Sequence, residues 1–417
     1  MKILIIGEGA REHAIARKLA ESDLVTAIYV SPGNGGTERL GKCRNISKGT
    51  LSDLRDFARD NNIDYTVVGP EADLMEGIVD LFHEADLKII GPHRKAALLE
   101  GSKAYAKDFM MKYGIKTAEY EVFTDFKLAE AHIRQAAYPL VIKADGLAAG
   151  KGVEIIETYE DALKTLEAYM LEEKFKEASK KVVIEEYLTG KEASIITLFD
   201  GNSILSLNST MDHKKIGEGE TGLNTGGMGS LTPNPYFTEE LEKDFRKNIL
   251  DKTLVGLRAE QLLFKGIIFF GLMLTEKGTY LLEYNLRFGD PETQSLLETL
   301  ESDLNTLFMK TLDGTLQEED VVLSSDCALC VVLSAKGYPK TCEKEIDVSS
   351  FFDAETDQVS VFSYASKVLQ ERILSSSGRV LSVVSRGQKS ECFKNVYDFL
   401  DENRNENLYY RNDIGRI

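Results

Sequence analysis

Residues 280–292 read YLLEYNLRFGDPE, and the alternation of apolar and polar residues at its start is that of a β-strand. On that pattern Glu283, Asn285 and Arg287 share one face, and Leu282, Tyr284 and Leu286 share the other. A carboxylate and an amide oxygen at successive same-face positions suit a hard divalent cation, Mg2+ or Mn2+, completed by water and nucleotide phosphates. The guanidinium beyond them can hold a phosphate or carboxylate through its planar fork. The Gly and Pro turn that follows adds Asp290 and Glu292, so these polar side chains are expected to converge at one strand end. An isolated E-x-N-x-R strand could instead be a solvated surface strand, so the reading depends on the rest of the chain.

Four other stretches carry residues of matching chemistry. Lys103 and Lys107 lie on adjacent turns of one helical face, and either could be a solvated lysine. YPLVIKADGLAAGKGVEII reads strand, glycine loop, strand: Lys143 ends the first strand, and Gly146, Gly150, Lys151 and Gly152 make the loop. The spacing is not that of a Walker loop, but a β-hairpin flap can close over phosphates through its N–H groups. KVVIEEYLTGKEAS offers Glu185, Glu186, Leu188 and Glu192, an apolar slot and carboxylates of the kind an adenosine needs, or simply a hairpin with exposed glutamates. Residues 209–235 lack apolar periodicity and are expected to be a ligand-lining loop with Asp212, His213, Lys214 and Asn224. His213, with no partner histidine, is expected to be a hydrogen-bonding loop residue.

Strand and helix alternate regularly over the first hundred residues, which predicts βαβ units and a parallel sheet with ligands at the strand carboxyl ends. Gly7 and Gly9 open the first turn, where a backbone can approach an anion. The dinucleotide fingerprint fails there, because Glu12 stands at the third glycine position and AIYVSPGN ends without a ribose-binding acid. A sugar phosphate monoester fits better, with Gly9, Arg11, Gly33, Asn34 and Glu71 on the first loops as candidate contacts. One long helix is expected from Pro92 to Tyr113, others from Glu160 to Ala178 and from Glu239 to Leu263. Residues 321–417 read as a β-rich lid or packing module without a concentrated constellation.

The chain has 417 residues, enough for two to four domains, and a formal charge of −18 with no basic cluster, which argues against a nucleic-acid partner. No signal peptide or membrane-length apolar run is seen, so a cytoplasmic protein is expected. Five cysteines without a secretory signal make a disulfide framework improbable, and Cys327 and Cys330 fall in a β-like apolar run.

GEGAREHAIA, SPGN, VGPE, LEGSKAYAKDFM, VIKADGLAAGKGV, IEEYLTGKEAS, DHK, TGLNTGGMG and LLEYNLRFGDPETQ occur in this order. In that combination the chain closely resembles the phosphoribosylamine–glycine ligase family, the glycinamide ribonucleotide synthetases, which are ATP-grasp enzymes of purine biosynthesis. The resemblance runs from residue 1 to about 340 and more loosely to GRVLSVV and YRNDIG. It implies an α/β multi-domain ATP-grasp fold: an N-terminal domain over 1–102, a small lobe with flap over 103–190, a large lobe with the metal site over 191–320 and a β-rich domain over 321–417. It also implies that ATP, glycine and 5-phosphoribosylamine give ADP, phosphate and glycinamide ribonucleotide through glycyl phosphate, in a monomer or weak homodimer. By that resemblance Glu283 and Asn285 hold the metal, Lys103 and Lys143 the phosphates, and Asp145 to Gly152 the closing flap. Glu185, Glu186, Leu188 and Glu192 would hold the nucleoside. Arg287 would stabilise the acyl phosphate, with Asp212, Asn224, Gly289 and Asp290 at the acceptor; Arg287, Lys143 and Asp290 are the catalytic candidates. Leu223, Lys336 and SYAS at 363–366 depart from the family pattern. Three competing readings are another carboxylate–amine ligase, a non-catalytic nucleotide-binding protein, and an oxidoreductase built on the first sheet.

Overall fold

β1 (Lys2–Gly7) is apolar almost throughout because it is the middle strand of a parallel sheet covered on both faces. α1 (Ala10–Ala20), β2 (Ala27–Pro32), β3 (Cys43–Asn45), α2 (Leu51–Asp60), β4 (Tyr65–Val68), α3 (Glu71–Glu76), α4 (Ile78–His83) and β5 (Ile89–Ile90) complete this unit. The strand order is β3-β2-β1-β4-β5, every pair parallel, as the alternation predicts. The computed structural model describes residues 1–146 and 152–416, so Gly150 and Lys151 of the expected flap lie outside the described residues.

The single helix expected over 92–113 is two, α5 (Arg94–Gly101) and α6 (Lys103–Lys112). Ser102 is extended between them (φ −135°, ψ 115°); its Oγ accepts from Tyr105 N at 3.1 Å and donates to Asp145 at 2.9 Å. Serine competes with the helical backbone for hydrogen bonds, and here it caps a new helix.

β6 (Tyr120–Phe123), α7 (Phe126–Ile133), β7 (Leu140–Ala144), β8 (Val153–Ile156), α8 (Tyr159–Leu166) and β9 (Val182–Glu186) form a small lobe, an antiparallel sheet of order β6-β9-β7-β8 with its own core of Ile133, Ile142, Leu166 and Ile184. The helix expected to reach Ala178 ends at Leu166, followed by a π turn over Glu167–Leu171.

The large sheet begins with β10 (Lys191–Phe199) and β11 (Ile204–Asp212). β12 (Lys215–Gly217) and β13 (Thr221–Asn224) make a side hairpin, and β14 (Gly229–Thr232) returns to the sheet. The loop expected over 209–235 is therefore largely strand; its Ser, Thr and Gly residues carry little hydrophobic signal although β14 is buried throughout and Met211 and Leu231 lie in the core. α9 (Glu239–Phe245) and α10 (Asp251–Ala259) flank a π turn, where one helix to Leu263 was expected, and lead to β15 (Gly266–Thr275) and β16 (Gly278–Asn285). Register shifts between them, Gly271 facing Glu283 but Leu272 facing Leu281, which leaves Leu282 as the extra residue of a bulge. Leu281, not Leu282, thus joins Tyr284 and Leu286 in the core.

α11 (Glu292–Thr299), α12 (Leu304–Asp313), β17 (Cys327–Ala335), α13 (Ser349–Asp353), β18 (Ser360–Ser363), β19 (Ser366–Leu369), β20 (Arg372–Ser375), β21 (Arg379–Gly387), α14 (Lys389–Glu402) and β22 (Leu408–Tyr409) follow. β17 pairs with β14, so the β-rich segment extends the large-lobe sheet in the order β16-β15-β10-β11-β14-β17-β21-β18. One core cluster draws on Ile5, Leu198, Leu296 and Val384, tying the first, middle and last segments together. No helix among the described residues is long and apolar enough to cross a membrane.

Candidate active site

Glu283 on β16 faces a ring of cations. Burial would raise its pKa, but Lys214, Lys143, Lys103 and Arg287 hold it below the usual carboxylate range, so it is ionised. Asn285, two residues on, accepts a hydrogen bond from Arg287 Nη2 through Oδ1 at 3.4 Å. Across the sheet, Gly271 faces Glu283 and brings no side chain. An anionic carboxylate and an amide oxygen, with the rest of the coordination left to other ligands, is a donor set that fits a hard divalent cation.

Lys143, 6% exposed at the end of β7, lies 2.8 Å from Glu185 Oε1, and Lys107, 2% exposed, lies 3.0 Å from Glu185 Oε2. Burial would raise the pKa of Glu185, but the two lysines hold it down; burial lowers that of Lys107 to about 8 against the pull of Glu185. Glu185 is thus committed to two lysines in the interior, whereas Glu186 is exposed and accepts from Glu119 N at 2.9 Å. Lys103 donates to Gly146 O at 3.1 Å; burial lowers its pKa, opposed by Glu283, Asp145 and Glu185. Asp145 accepts from Ser102 Oγ and Ala104 N, clamping the start of the glycine loop to the start of α6. Gly146 has φ +151°, and a Cβ there would lie 2.6 Å from that of Ala178. Gly152 O accepts from Ala144 N at 2.8 Å, closing the base of the hairpin. Leu188 is half-buried, and exposed Glu192 pairs with Lys214.

Beyond the metal-type face, the turn after β16 meets the N-terminal loops. Arg287 Nε is 3.2 Å from Glu100 and 3.6 Å from Glu71, and Glu100 also accepts from Leu286 N at 2.6 Å. Arg11 donates to Phe288 O at 3.0 Å, and a Cβ on Gly9 would stand 3.4 Å from Asp290 Oδ2. Gly289 has no room for a side chain, since a Cβ would lie 2.5 Å from Glu292 Oε2. Burial would raise the pKa of Asp290, but Arg379, Arg11, Gln294 and Tyr364 hold it down. Asp212 is the opposite case: burial and the neighbouring Glu292 carboxylate raise it well above its usual range, and its Oδ1 is buried without a hydrogen bond. Asn224 lies on the exposed strand β13.

The first turn differs from a phosphate cradle. Glu12 folds back so that Oε2 accepts from Gly9 N at 2.7 Å, with Arg11 paired to Oε1. Cβ atoms on Gly7 or Gly69 would collide with this side chain. A carboxylate therefore fills the space that a dinucleotide pyrophosphate would need, which disposes of the oxidoreductase reading. Asn34 is also occupied: its amide donates to Glu8 O and Ser363 O, and its Oδ1 accepts from Gly36 N and Thr37 N. Gly33 has φ +71° and packs on Asn45, as this loop requires. His213 has both ring nitrogens engaged, with Glu220 at 2.7 Å and Gly415 N at 3.0 Å. Lys107, Glu100, Tyr364 and Arg379 carry no role on sequence pattern alone. Glu100 was visible as the acid of LEGSKA; the other three become informative only through contacts distant in sequence.

A two-lobed α/β body with buried lysines beside the end of β7 and a carboxylate–amide strand close to them defines the class of ATP-grasp ligases. The family models for phosphoribosylglycinamide synthetase match in succession: the N domain over residues 1–100, the ATP-grasp (A) domain over 101–293 and the C domain over 328–417. The chain belongs to the phosphoribosylglycinamide synthetase family. It is 48% identical to the phosphoribosylamine–glycine ligase of Clostridium acetobutylicum over the full length of both chains. The crystal structure of the phosphoribosylamine–glycine ligase of Thermotoga maritima is similar over all of both chains, with a TM-score of 0.85 and 31% identity. The biotin carboxylase domain of the Hydrogenobacter thermophilus 2-oxoglutarate carboxylase, solved with MgADP and bicarbonate, shares the fold at 16% identity and a TM-score of 0.73, covering 98% of this chain and 91% of that one.

Proposed function

We propose that this chain joins glycine to 5-phosphoribosylamine at the expense of ATP, through glycyl phosphate, in purine biosynthesis. The observation that carries this reading is the grouping of Lys103, Lys143, Lys214 and Arg287 around the Glu283 carboxylate, with Asn285 hydrogen-bonded to Arg287. A triphosphate laid along the lysines presents its γ-phosphorus to a carboxylate held near Arg287. A glycine carboxylate oxygen attacks that phosphorus and the bond to ADP breaks; the amine then attacks the carbonyl carbon, loses a proton, and phosphate leaves. Glycine and ATP are both anions, so the protein's contribution is orientation and charge neutralisation. Glu283 and Asn285 would hold Mg2+ or Mn2+, which when bound neutralises phosphate oxygens. Lys107 keeps Glu185 from drawing Lys143 wholly away from the phosphates. Glu186, Leu188 and Glu192 are the proposed nucleoside contacts. The hairpin from Asp145 through Gly150 and Lys151 to Gly152 would exclude water from the mixed anhydride. Gly9, Arg11, Glu71, Asp212, Asn224 and Gly289 are proposed to surround the acceptor, with Gly33 and Asn34 shaping their loop.

In this reading the domains run over 1–102, 103–190, 191–320 and 321–417, and the enzyme works in the cytoplasm as a monomer or weak homodimer. Its net charge of −18 disfavours close self-association. The test is phosphate release from ATP with a divalent metal: it is expected only when glycine and phosphoribosylamine are both present. Equal release with alanine or β-alanine in place of glycine would reassign the enzyme to another carboxylate–amine ligase.

A further inference from the structure

Asp290 is an acceptor-side carboxylate with two partners, Tyr364 and Arg379, from the far end of the chain. Its Oδ1 accepts from Tyr364 OH at 2.7 Å and Gln294 Nε2 at 3.0 Å, and the Arg379 guanidinium forms an ion pair with it at 3.3 Å. These three partners converge on one oxygen, while Oδ2 is turned toward Gly9, where no donor from the described residues meets it. A carboxylate saturated on one side and open on the other is fixed in plane and presents its remaining lone pairs in one direction.

The same arginine holds the backbone around it. Arg379 Nη1 donates to Asp290 O at 3.0 Å and to Gly226 O at 2.5 Å, joining the NTGGMG and RFGDPE turns, and its guanidinium lies over the Tyr364 ring at 4.6 Å. Tyr364 is 4% exposed and is held by Val380 O through its N–H at 3.0 Å. Beside it, Ser363 O and Ser366 Oγ bind Asn34 Nδ2 and Gly35 N, so the same C-terminal segment also pins the second N-terminal loop.

We propose that Arg379 and Tyr364 are positioning residues for the acceptor amine: by fixing Asp290 Oδ1 they aim Oδ2 at an N–H of the amine substrate. The C-terminal strands are then part of the acceptor site and not only a packing module. This inference rests on the reading of Asp290 as an acceptor-side residue.

The experiment compares KM for phosphoribosylamine, glycine and ATP in the full-length enzyme and in Tyr364→Phe, Arg379→Met and Arg379→Lys, with Arg386→Met as control. Arg386 sits on the same strand but pairs with Asp326 and Glu301, away from the site. Tyr364→Phe deletes one hydroxyl and keeps the ring, so it reports even if Arg379→Met folds poorly. KM for phosphoribosylamine is expected to rise about tenfold in Tyr364→Phe, which loses a hydrogen bond to the carboxylate, and more in Arg379→Met, which loses the ion pair to it and the bonds that hold the turn backbone. KM for ATP should stay within about twofold, and Arg379→Lys should recover part of the loss. All three KM values rising together, none moving, or Arg386→Met giving the same split would overturn the inference. If the unmodified enzyme fails to consume glycine with phosphoribosylamine, the functional reading fails, and this inference with it. An active enzyme without the split removes the inference alone.

Discussion

Glu283 remains charged in a partly buried position only because Lys214, Lys143, Lys103 and Arg287 surround it. Glu283→Gln keeps shape and hydrogen bonding but removes the charge that a metal and those lysines require. Turnover is expected to fall by about 100-fold or more, with a correspondingly higher divalent-metal requirement. Unchanged far-UV circular dichroism would separate this loss from misfolding, and a variant at full rate would contradict the metal assignment. The polar members of this site are legible one by one in the sequence, since alternation puts Glu283, Asn285 and Arg287 on one face. Their partners are not. Nothing in LEGSKAYAKDFM says that Lys107 turns inward to share Glu185 with Lys143, because that depends on how α6 lies against β9.

At the scale of elements, the glycine hairpin is tied to the lysine helix through one serine. Ser102 ends α5, caps α6 and bonds Asp145, so it fixes the distance between Lys103 and the base of the loop. Ser102→Ala is expected to lower stability by about 1–2 kcal/mol, the loss of a cap plus a charge-assisted bond, in a urea titration. KM for ATP should rise severalfold while KM for glycine stays put; equal rises would mean that Ser102 supports the fold only. Periodicity located most helices and strands, but it ran through Ser102 as though the helix were continuous. It also passed over the bulge at Leu282, because an extra residue in one strand is decided by the partner strand. In 209–235 the failure was the reverse: strands built of Ser, Thr and Gly carry little hydrophobic signal, and β11 and β14 are recognisable only by their neighbours.

Across the whole molecule, the first and last segments are joined by a buried histidine. His13 on α1 accepts from Ser363 N through Nδ1 at 3.0 Å, and burial, aided by Arg17, lowers its pKa to about 3. Its folded value lies below its ordinary value of 6.5, so the fold favours the neutral ring. The stability it contributes is complete above about pH 6.5 and is lost as pH falls from there toward 3. Thermal unfolding of the unmodified chain should therefore weaken across this window more than that of His13→Gln, by up to about 4 kcal/mol. Parallel curves would show that His13 does not titrate on unfolding. The α/β class and the parallel first sheet could be read from local alternation, but the joining of β17 to β14 could not, since strand order is set by contacts far apart in the chain.

The proposed reaction requires phosphoryl transfer to a glycine carboxylate inside this site. Glycine labelled with 18O in its carboxylate, turned over with ATP and phosphoribosylamine, tests that transfer directly by mass spectrometry of the released phosphate. One 18O per phosphate is expected. Phosphate carrying no label from glycine would contradict the account.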